Sequence, residues 1–286
     1  MATIYLIANP QLLLHPDKLL SPDPDHRKNI DRISAFLGNA EGRDKIGKLV
    51  QFFARFLEGF LQEGGGSVLL GGEEGAKPYC QQLNKLWNGL QAARCWSWMG
   101  KSIIEWRTDI QTYESKTMAQ EVKMLHMTAR FFFAARWFFE NFMILVKEKA
   151  LMPRAQGGLL PLPDAATLNK VAKRFWLAAI VTAICTEMAK LRLMKQKYDA
   201  LTDDRRAVAT AKGRSKQDQV EAEKVYQDEL TQLRTDAMQR LRTIVTNATD
   251  SPASISVGLG IPMSHMTVGG LMTIASFLQC QNLYPK

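Results

Sequence analysis

The chain has 286 residues, with 37 Lys and Arg against 28 Asp and Glu, a formal net charge of +9 and a pI near 9.4. Hydrophobic residues make up 46% of the chain and charged residues 23%, which excludes disordered, collagen-like and low-complexity proteins. The mean hydropathy of −0.17 excludes a transporter built from many apolar spans, but leaves open one span or helices lying in a membrane surface.

The residue types that carry catalysis or metal binding are scattered. No GxSxG or GxGxxG motif is present, and the N-terminus lacks the basic residues and cleavage site of a signal peptide. We therefore expect a reducing compartment, no metal, no cofactor and no enzyme activity. The cysteines and histidines, which show no metal-ligand spacing, are Cys80, Cys95, Cys185, Cys280, His15, His26, His126 and His265.

Composition divides the chain into four segments. Residues 1–26 are a proline-containing irregular lead, and 27–189 are an amphipathic and hydrophobic helical region. Residues 190–250 form a charged helical or linker tract with 13 basic and 10 acidic residues, a mixture that predicts no nucleic-acid binding. Residues 251–286 are uncharged up to the final lysine, and we expect them to form a C-terminal membrane segment.

The first strongly helical segment follows a glycine pair. Apolar residues recur at three- and four-residue steps up to Phe60. We expect Gly38 and Gly42 to interrupt the helical run just before Arg43, so that this helix begins near Asp44. The glycine-rich stretch at residues 64–75 predicts a flexible loop.

The stretch Ala92–Ile110 predicts one amphipathic helix. Arg94 and Lys101 lie on its polar side, where they can reach anionic lipid headgroups, while the tryptophans suit the membrane interface. An ordinary helix that turns its apolar stripe toward the core shows the same spacing, and spacing alone favours it. The residues on the apolar side, which would insert into a membrane, are Trp96, Met99, Ile103, Trp106 and Ile110.

Two further segments are candidates for membrane contact. Residues 119–149 are interrupted by Arg136, Glu140 and Asn141, so burial or partial immersion fits better than a span, and Arg136 can pair with Glu140. The segment His265–Tyr284 is the best spanning candidate, and its Gly269 and Gly270 allow another helix to approach closely. A buried glycine-rich hairpin is the alternative.

Several of these segments together resemble the peroxisomal biogenesis factor eleven (peroxin-11) family. The terminal piece Val268–Leu278 is similar to that family's glycine-containing C-terminal segment, and Trp98-Met99-Gly100-Lys101 resembles a second motif. The most specific piece comprises Gly42, Arg43, Asp44 and Lys45, then Gln51 followed by Phe52, and Arg55 followed by Phe56 and Leu57.

The resemblance implies an all-α, membrane-associated protein with amphipathic helices and a C-terminal hydrophobic membrane segment. Such a protein would lie in the membrane of peroxisomes or glycosomes and promote their proliferation by elongating and curving the membrane before fission. Its partners would be anionic phospholipid membranes, further copies of itself and the organelle fission machinery. Two alternatives stay open. One is a pore-like metabolite conduit, for which Arg136, Glu140 and Asn141 are the in-helix candidates for a polar lining. The other is a soluble helical scaffold that binds proteins through its charged tract.

Overall fold

A computed structural model describes residues 24–153, 157, 158, 161–210 and 216–284 of the chain. These residues are helical almost throughout and contain no β-strand, which confirms the predicted all-α class. Most of the predicted lead, residues 1–23, lies outside them. The long helices are α1 (Pro24–Gly38), α2 (Ala40–Phe60), α3 (Glu73–Ser97), α4 (Lys101–Glu114), α5 (Gln120–Lys147), α6 (Ala165–Thr210), α7 (Lys216–Asp250) and α8 (His265–Leu283).

Helix α2 begins four residues before the predicted start at Asp44. Asn39 is its N-cap, and the Asn39 side chain accepts a hydrogen bond of 2.9 Å from the backbone N–H of Glu41. This acceptor satisfies one of the N–H groups that the first helical turn leaves without a partner. The expectation that Gly42 interrupts the helix is therefore wrong, whereas Gly38 does end α1.

The glycine-rich segment is more ordered than the predicted loop. Leu61–Gly65 form a π-helical turn, and Gly66–Leu69 form a short helix. The chain leaves the helical conformation at Gly64, where a φ of 119° kinks the turn, and again at Gly71 and Gly72, whose φ angles are 73° and 116°. Glycine reaches these values without a steric penalty. Helix α3 begins directly afterwards, so the non-helical stretch is shorter than residues 64–75.

Glycines bring α2 and α8 into very close contact. A β-carbon built on Gly269 would lie 2.4 Å from the backbone nitrogen of Phe56, and one built on Gly59 would lie 2.2 Å from that of Met266. A β-carbon built on Gly270 would lie 3.4 Å from Cδ2 of the Phe56 ring. The predicted close approach of a helix at Gly269 is therefore confirmed, and the approaching helix is α2.

The buried core forms around α8 and α6. Val268 and Met272 of α8 are fully buried and pack with Phe52 of α2 and Trp176 of α6. None of the helices in the described ranges combines the length and apolar content needed to cross a membrane, so the predicted C-terminal membrane segment is not supported. A second cluster joins α3, α5 and α6 through Cys95, Met143, Ile144, Val146 and Leu168.

Helices α5, α6 and α7 are the three longest helices in the described part of the chain. The rings of Phe139 and Phe175 stack between α5 and α6 with their centroids 5.4 Å apart. Helix α6 runs without interruption through residues 189 and 190, so the charged tract begins inside a helix and continues into α7, which packs against α6. Residues 211–215, within the stretch considered as a linker, lie outside the described part of the chain.

Candidate membrane interface and polar interior

Helix α4 turns its polar face toward the protein and its apolar face outward. Glu105 and Thr112 are buried, with 6% and 7% of their surface exposed, whereas Ile103 and Trp106 are 70% and 60% exposed. A helix on the surface of a globular protein has the opposite arrangement, because its apolar stripe stabilises the core. The alternative in which this helix turns its apolar stripe toward the core is therefore wrong for α4.

Specific contacts hold the polar face of α4 in place. Glu105 accepts a hydrogen bond of 2.8 Å from Arg130 of α5, and the Thr112 hydroxyl lies 3.3 Å from Nδ1 of His126. Burial lowers the pKa of His126 below its ordinary value, which favours the neutral ring there. The orientation of α4 is thus set by polar contacts with α5 rather than by apolar burial.

The five residues predicted to insert into a membrane are all exposed, but they do not lie on one helix. Trp96 belongs to α3, Met99 lies in the turn, and α4 carries the other three. The break occurs because Gly100 has a φ of 79°, in the left-handed region, so the predicted continuous helix over Ala92–Ile110 is wrong. Ile103, Trp106 and Ile110 on α4 are more exposed than Trp96 and Met99.

Large apolar side chains also point outward from neighbouring helices. Met124, Phe131 and Phe138 follow one another at seven-residue steps on α5, and each is at least half exposed. Helix α4 packs against α5, so large exposed apolar side chains lie on two adjacent helices. Contiguous exposed apolar surface marks a membrane- or protein-binding site.

Two residues of the family motif build the corner between α1 and α2. A β-carbon on Gly42 would lie 2.1 Å from the carbonyl oxygen of Phe36, so only glycine fits there. The Arg43 guanidinium donates hydrogen bonds to the carbonyl oxygens of Leu37 and Gly38, at 2.9 and 3.1 Å. These bonds satisfy carbonyl groups that the end of α1 would otherwise leave without a donor.

Two further motif residues hold Arg94, which was predicted to contact lipid headgroups. Nε of Arg94 donates to Asp44 at 2.7 Å, and its Nη1 donates to the side-chain oxygen of Gln51 at 2.7 Å. Burial raises the pKa of Asp44, but the Arg94 charge outweighs it and leaves this pKa at about 2. Lys45 lies 3.8 Å from Asp44 and adds to the stabilisation of its charge. The spacing of residues in the sequence did not indicate that Arg94 contacts Asp44 and Gln51 in the interior.

Lys101, the other predicted headgroup contact, lies over aromatic rings inside the protein. Its Nζ is 3.6 Å from the ring centroid of Trp98 and 4.8 Å from that of Trp137, distances typical of cation–π contacts. Burial lowers the pKa of Lys101 to about 8. The motif residue Arg55 stacks in the same way, with its Cζ 5.3 Å from the ring centroid of Trp87.

The interior of the bundle contains charged groups that the sequence did not single out. Lys48 of α2 donates to Asp250 at the end of α7, and its Nζ also lies 3.2 Å from the side-chain oxygen of Gln279 in α8. Burial lowers the pKa of Lys48 below its ordinary value, although Asp250 raises it. These three residues are far apart in the chain, so no local pattern could have predicted their contact.

A second interior group is centred on Glu140. Its Oε1 accepts hydrogen bonds from Lys173 at 2.8 Å and from Nε of Arg136 at 3.3 Å, which confirms the predicted pairing of Arg136 with Glu140. Burial raises the pKa of Glu140, but the two cations lower it more, and the resulting pKa is about 2. Lys173 was missed because it contributes from another helix.

In the described ranges, no group of three or more His, Cys, Asp or Glu side chains is arranged to hold a metal ion. The charged side chains of the interior are instead engaged in ion pairs and in contacts with tryptophan rings. The described residues define an all-helical protein whose apolar core also contains buried charged side chains, and whose α4 and α5 expose large apolar side chains.

The chain belongs to the family described as Peroxisomal biogenesis factor 11 (PEX11), whose model matches residues 30–284. The resemblance seen in the sequence motifs is thereby confirmed. The chain is a peroxisomal membrane protein with a role in peroxisome biogenesis and proliferation, and the family is not a known family of enzymes. No curated protein and no solved structure is significantly similar to the chain.

Proposed function

We propose that this protein elongates and curves the peroxisomal membrane by inserting the outward face of α4 into the cytosolic leaflet. The observation that carries the proposal is the inversion of α4, whose polar side chains contact α5 while Ile103, Trp106 and Ile110 face away from the protein. Insertion would bury these three side chains at the headgroup boundary, and an apolar face wedged into one leaflet expands it relative to the other.

The proposed lipid-facing surface extends beyond α4. Trp96 and Met99 precede the break at Gly100 and are exposed, and Phe131 and Phe138 lie on the adjacent α5. Tryptophan suits this position because its ring is apolar while its N–H can still reach the hydrated headgroups. Lipid contact by Arg94 and Lys101 stays a prediction, because both side chains have internal partners that a headgroup would have to displace.

Binding of the full chain to liposomes that contain phosphatidylcholine and phosphatidylserine tests this proposal. The test variant carries Ile103→Ser, Trp106→Ser and Ile110→Ser. Burying one large apolar side chain contributes about 1.5–3 kcal/mol, so we expect flotation assays to show at least about tenfold weaker binding. Electron microscopy should show tubules with the unchanged protein and spherical liposomes with the variant.

A control variant carries three changes of exposed apolar residues to serine on a different helix. Val220, Val225 and Met238 lie on α7 and are each more than half exposed, so Val220→Ser, Val225→Ser and Met238→Ser remove exposed apolar surface from α7 and leave α4 unchanged. We expect the control to bind and deform liposomes like the unchanged protein. Equal loss of binding in both variants, or in neither, would contradict a specific role for α4.

The pore and scaffold alternatives differ in measurable ways. A pore would allow solute flux through liposomes that keep their shape. Two of the polar residues predicted to line a pore, Arg136 and Glu140, are instead paired with each other in the interior. A soluble scaffold would be released from membranes by alkaline carbonate, whereas the proposed insertion predicts retention. Self-association and recruitment of fission machinery are further expectations from the family, which the same liposomes can test by cross-linking and by adding cytosolic fractions.

A further inference from the structure

A cavity of about 320 Å³ lies between α2, α3, α5 and α6, away from the outward face of α4. This volume lies within the range of pockets that bind small molecules. Tryptophan and aliphatic side chains form much of its wall, including Trp87, Trp176, Phe52, Met143 and Ile144. The cavity is therefore apolar enough to hold an alkyl chain as well as a polar group.

The cavity wall carries more cations than carboxylates, although two of these cations, Lys48 and Arg94, are paired with Asp250 and Asp44 outside the wall. Among the described residues that line it, Glu140 is the one carboxylate, and it is shared by two of the cations, Arg136 and Lys173. One positive charge of this group is thus left uncompensated inside the bundle. The cations that line the cavity are Lys48, Arg55, Arg94, Arg136, Lys147 and Lys173.

Three buried polar atoms of the wall residues lack hydrogen-bond partners among the described residues. They are Nε of Arg55, Nε1 of Trp98 and Oδ1 of Asn169. All three side chains line the cavity, Arg55 from α2 and Asn169 from α6, with Trp98 directly after the end of α3. Buried polar groups are nearly always satisfied in native proteins, and an unsatisfied one costs free energy. A ligand with an anionic head would satisfy Arg55.

We propose that this cavity binds an amphipathic organic anion, with a phosphate or carboxylate head against Arg55 and the Arg136–Lys173 group and with an apolar chain along the tryptophans. The guanidinium of Arg55 offers the planar pair of donors that matches such a head. Asn169 accepts from a hydroxyl of the head or, with its amide reversed, donates to its oxygen. This site does not depend on the insertion of α4.

Titration of the full chain in the neutral detergent dodecyl maltoside tests the proposal, with intrinsic fluorescence as the signal. The signal reports on the site because Trp87, Trp98, Trp137 and Trp176, four of the six tryptophans, line the cavity. The probes are dodecyl phosphate and dihexanoyl phosphatidic acid, each kept below its micelle concentration. The detergent already supplies a neutral dodecyl chain in excess. A fluorescence change caused only by an alkyl chain entering the cavity is therefore already present before the probe is added.

We expect saturable binding that Arg55→Gln weakens by about tenfold or more, because a charge-assisted hydrogen bond is lost. The matched control is Arg107→Gln, which removes an exposed arginine of α4 outside the cavity, and its affinity should equal that of the unchanged protein. Tighter binding of dodecyl phosphate assigns the site to a free single-chain anion, and tighter binding of dihexanoyl phosphatidic acid assigns it to a phospholipid. Non-saturable binding, or equal affinity in Arg55→Gln and the unchanged protein, would overturn the proposal.

Circular dichroism shows whether Arg55→Gln folds. If that variant does not fold, Arg55→Lys and Asn169→Ala provide the test, because the first keeps the charge and the second leaves every cation in place. Each should bind more weakly than the unchanged protein, since the first loses the planar pair of donors and the second loses its hydrogen bond to the head. Unchanged affinity in both would overturn the proposal.

Discussion

Arg94 and Asp44 form a buried ion pair that joins α3 to α2, with Nε and Oδ1 2.7 Å apart. The Asp44 side chain is 4% exposed and that of Arg94 is 17% exposed. The pair lies on the bundle side of α3, while Trp96, two residues further on, points outward. The contact therefore determines which side of the α3 end faces away from the protein.

Removing one partner of this pair should destabilise the protein strongly. Arg94→Met leaves the buried Asp44 carboxylate without its closest cation, with Nζ of Lys45 3.8 Å away, and breaking a buried pair in this way costs about 3–5 kcal/mol. Unfolding by denaturant in neutral detergent measures the change. The control is Arg205→Met, which breaks an ion pair with Glu223 whose side chains are 46% and 44% exposed, and an exposed pair contributes only about 0–1 kcal/mol. Equal effects of the two substitutions would contradict the importance of burial.

Acid should destabilise the protein through Glu140. Its pKa is lowered from 4.5 to about 2 in the folded state, so the unfolded chain binds protons more readily. The stabilisation from Glu140 is complete above pH of about 5 and is lost as the pH falls toward 2, by about 3 kcal/mol at most.

Comparison with Glu140→Gln isolates this contribution. The variant should be less stable at pH 7, because Arg136 and Lys173 lose their shared carboxylate, but its stability should fall less between pH 5 and pH 2. Thermal unfolding at several pH values gives both slopes. Parallel slopes for the variant and the unchanged protein would show that Glu140 has an ordinary pKa.

The contact between α2 and α8 should not tolerate a larger residue at Gly269. In Gly269→Ala the new methyl group would lie 2.4 Å from the Phe56 backbone nitrogen, so the two helices must separate, at a cost of about 1–3 kcal/mol. Gly89 is the matched control, since it lies inside α3 with no atom within 4 Å of the added methyl group. Gly89→Ala should stabilise the protein by about 0.4–1 kcal/mol. Opposite signs for the two substitutions, measured by denaturant unfolding, are the expected outcome.

The turn between α3 and α4 should depend on glycine for its conformation rather than for space. Gly100 has a φ of 79° but no atom within 4 Å of an added β-carbon, so Gly100→Ala should cost about 1 kcal/mol through backbone strain alone. Gly100→Asn should cost less, because asparagine tolerates the left-handed region better. Identical stability of all three proteins in thermal unfolding would show that the turn adopts another conformation.

Local patterns in the sequence were sufficient to predict the all-α class and several of the helices. Apolar periodicity predicted the helices at residues 44–60 and 119–149, and the spacing of Arg136 and Glu140 predicted their pairing, because all of these depend on neighbours three or four residues apart. The motif that contains Gly42, Asp44 and Arg55 identified the family. The start of α2 and the turn at Gly100 were predicted incorrectly, since a side-chain cap at Asn39 and a left-handed glycine decide them.

The periodicity of apolar residues showed that α4 has one apolar face and one polar face. The sequence alone determines this division into two faces. Whether the apolar face turns toward the protein or away from it depends on which partners its polar side chains meet, and Arg130 and His126 supply those partners from another helix. The same holds for Lys48 with Asp250 and for the cavity beside Arg55, whose walls come from four helices. Such contacts join residues far apart in the chain, so only the tertiary structure could decide them.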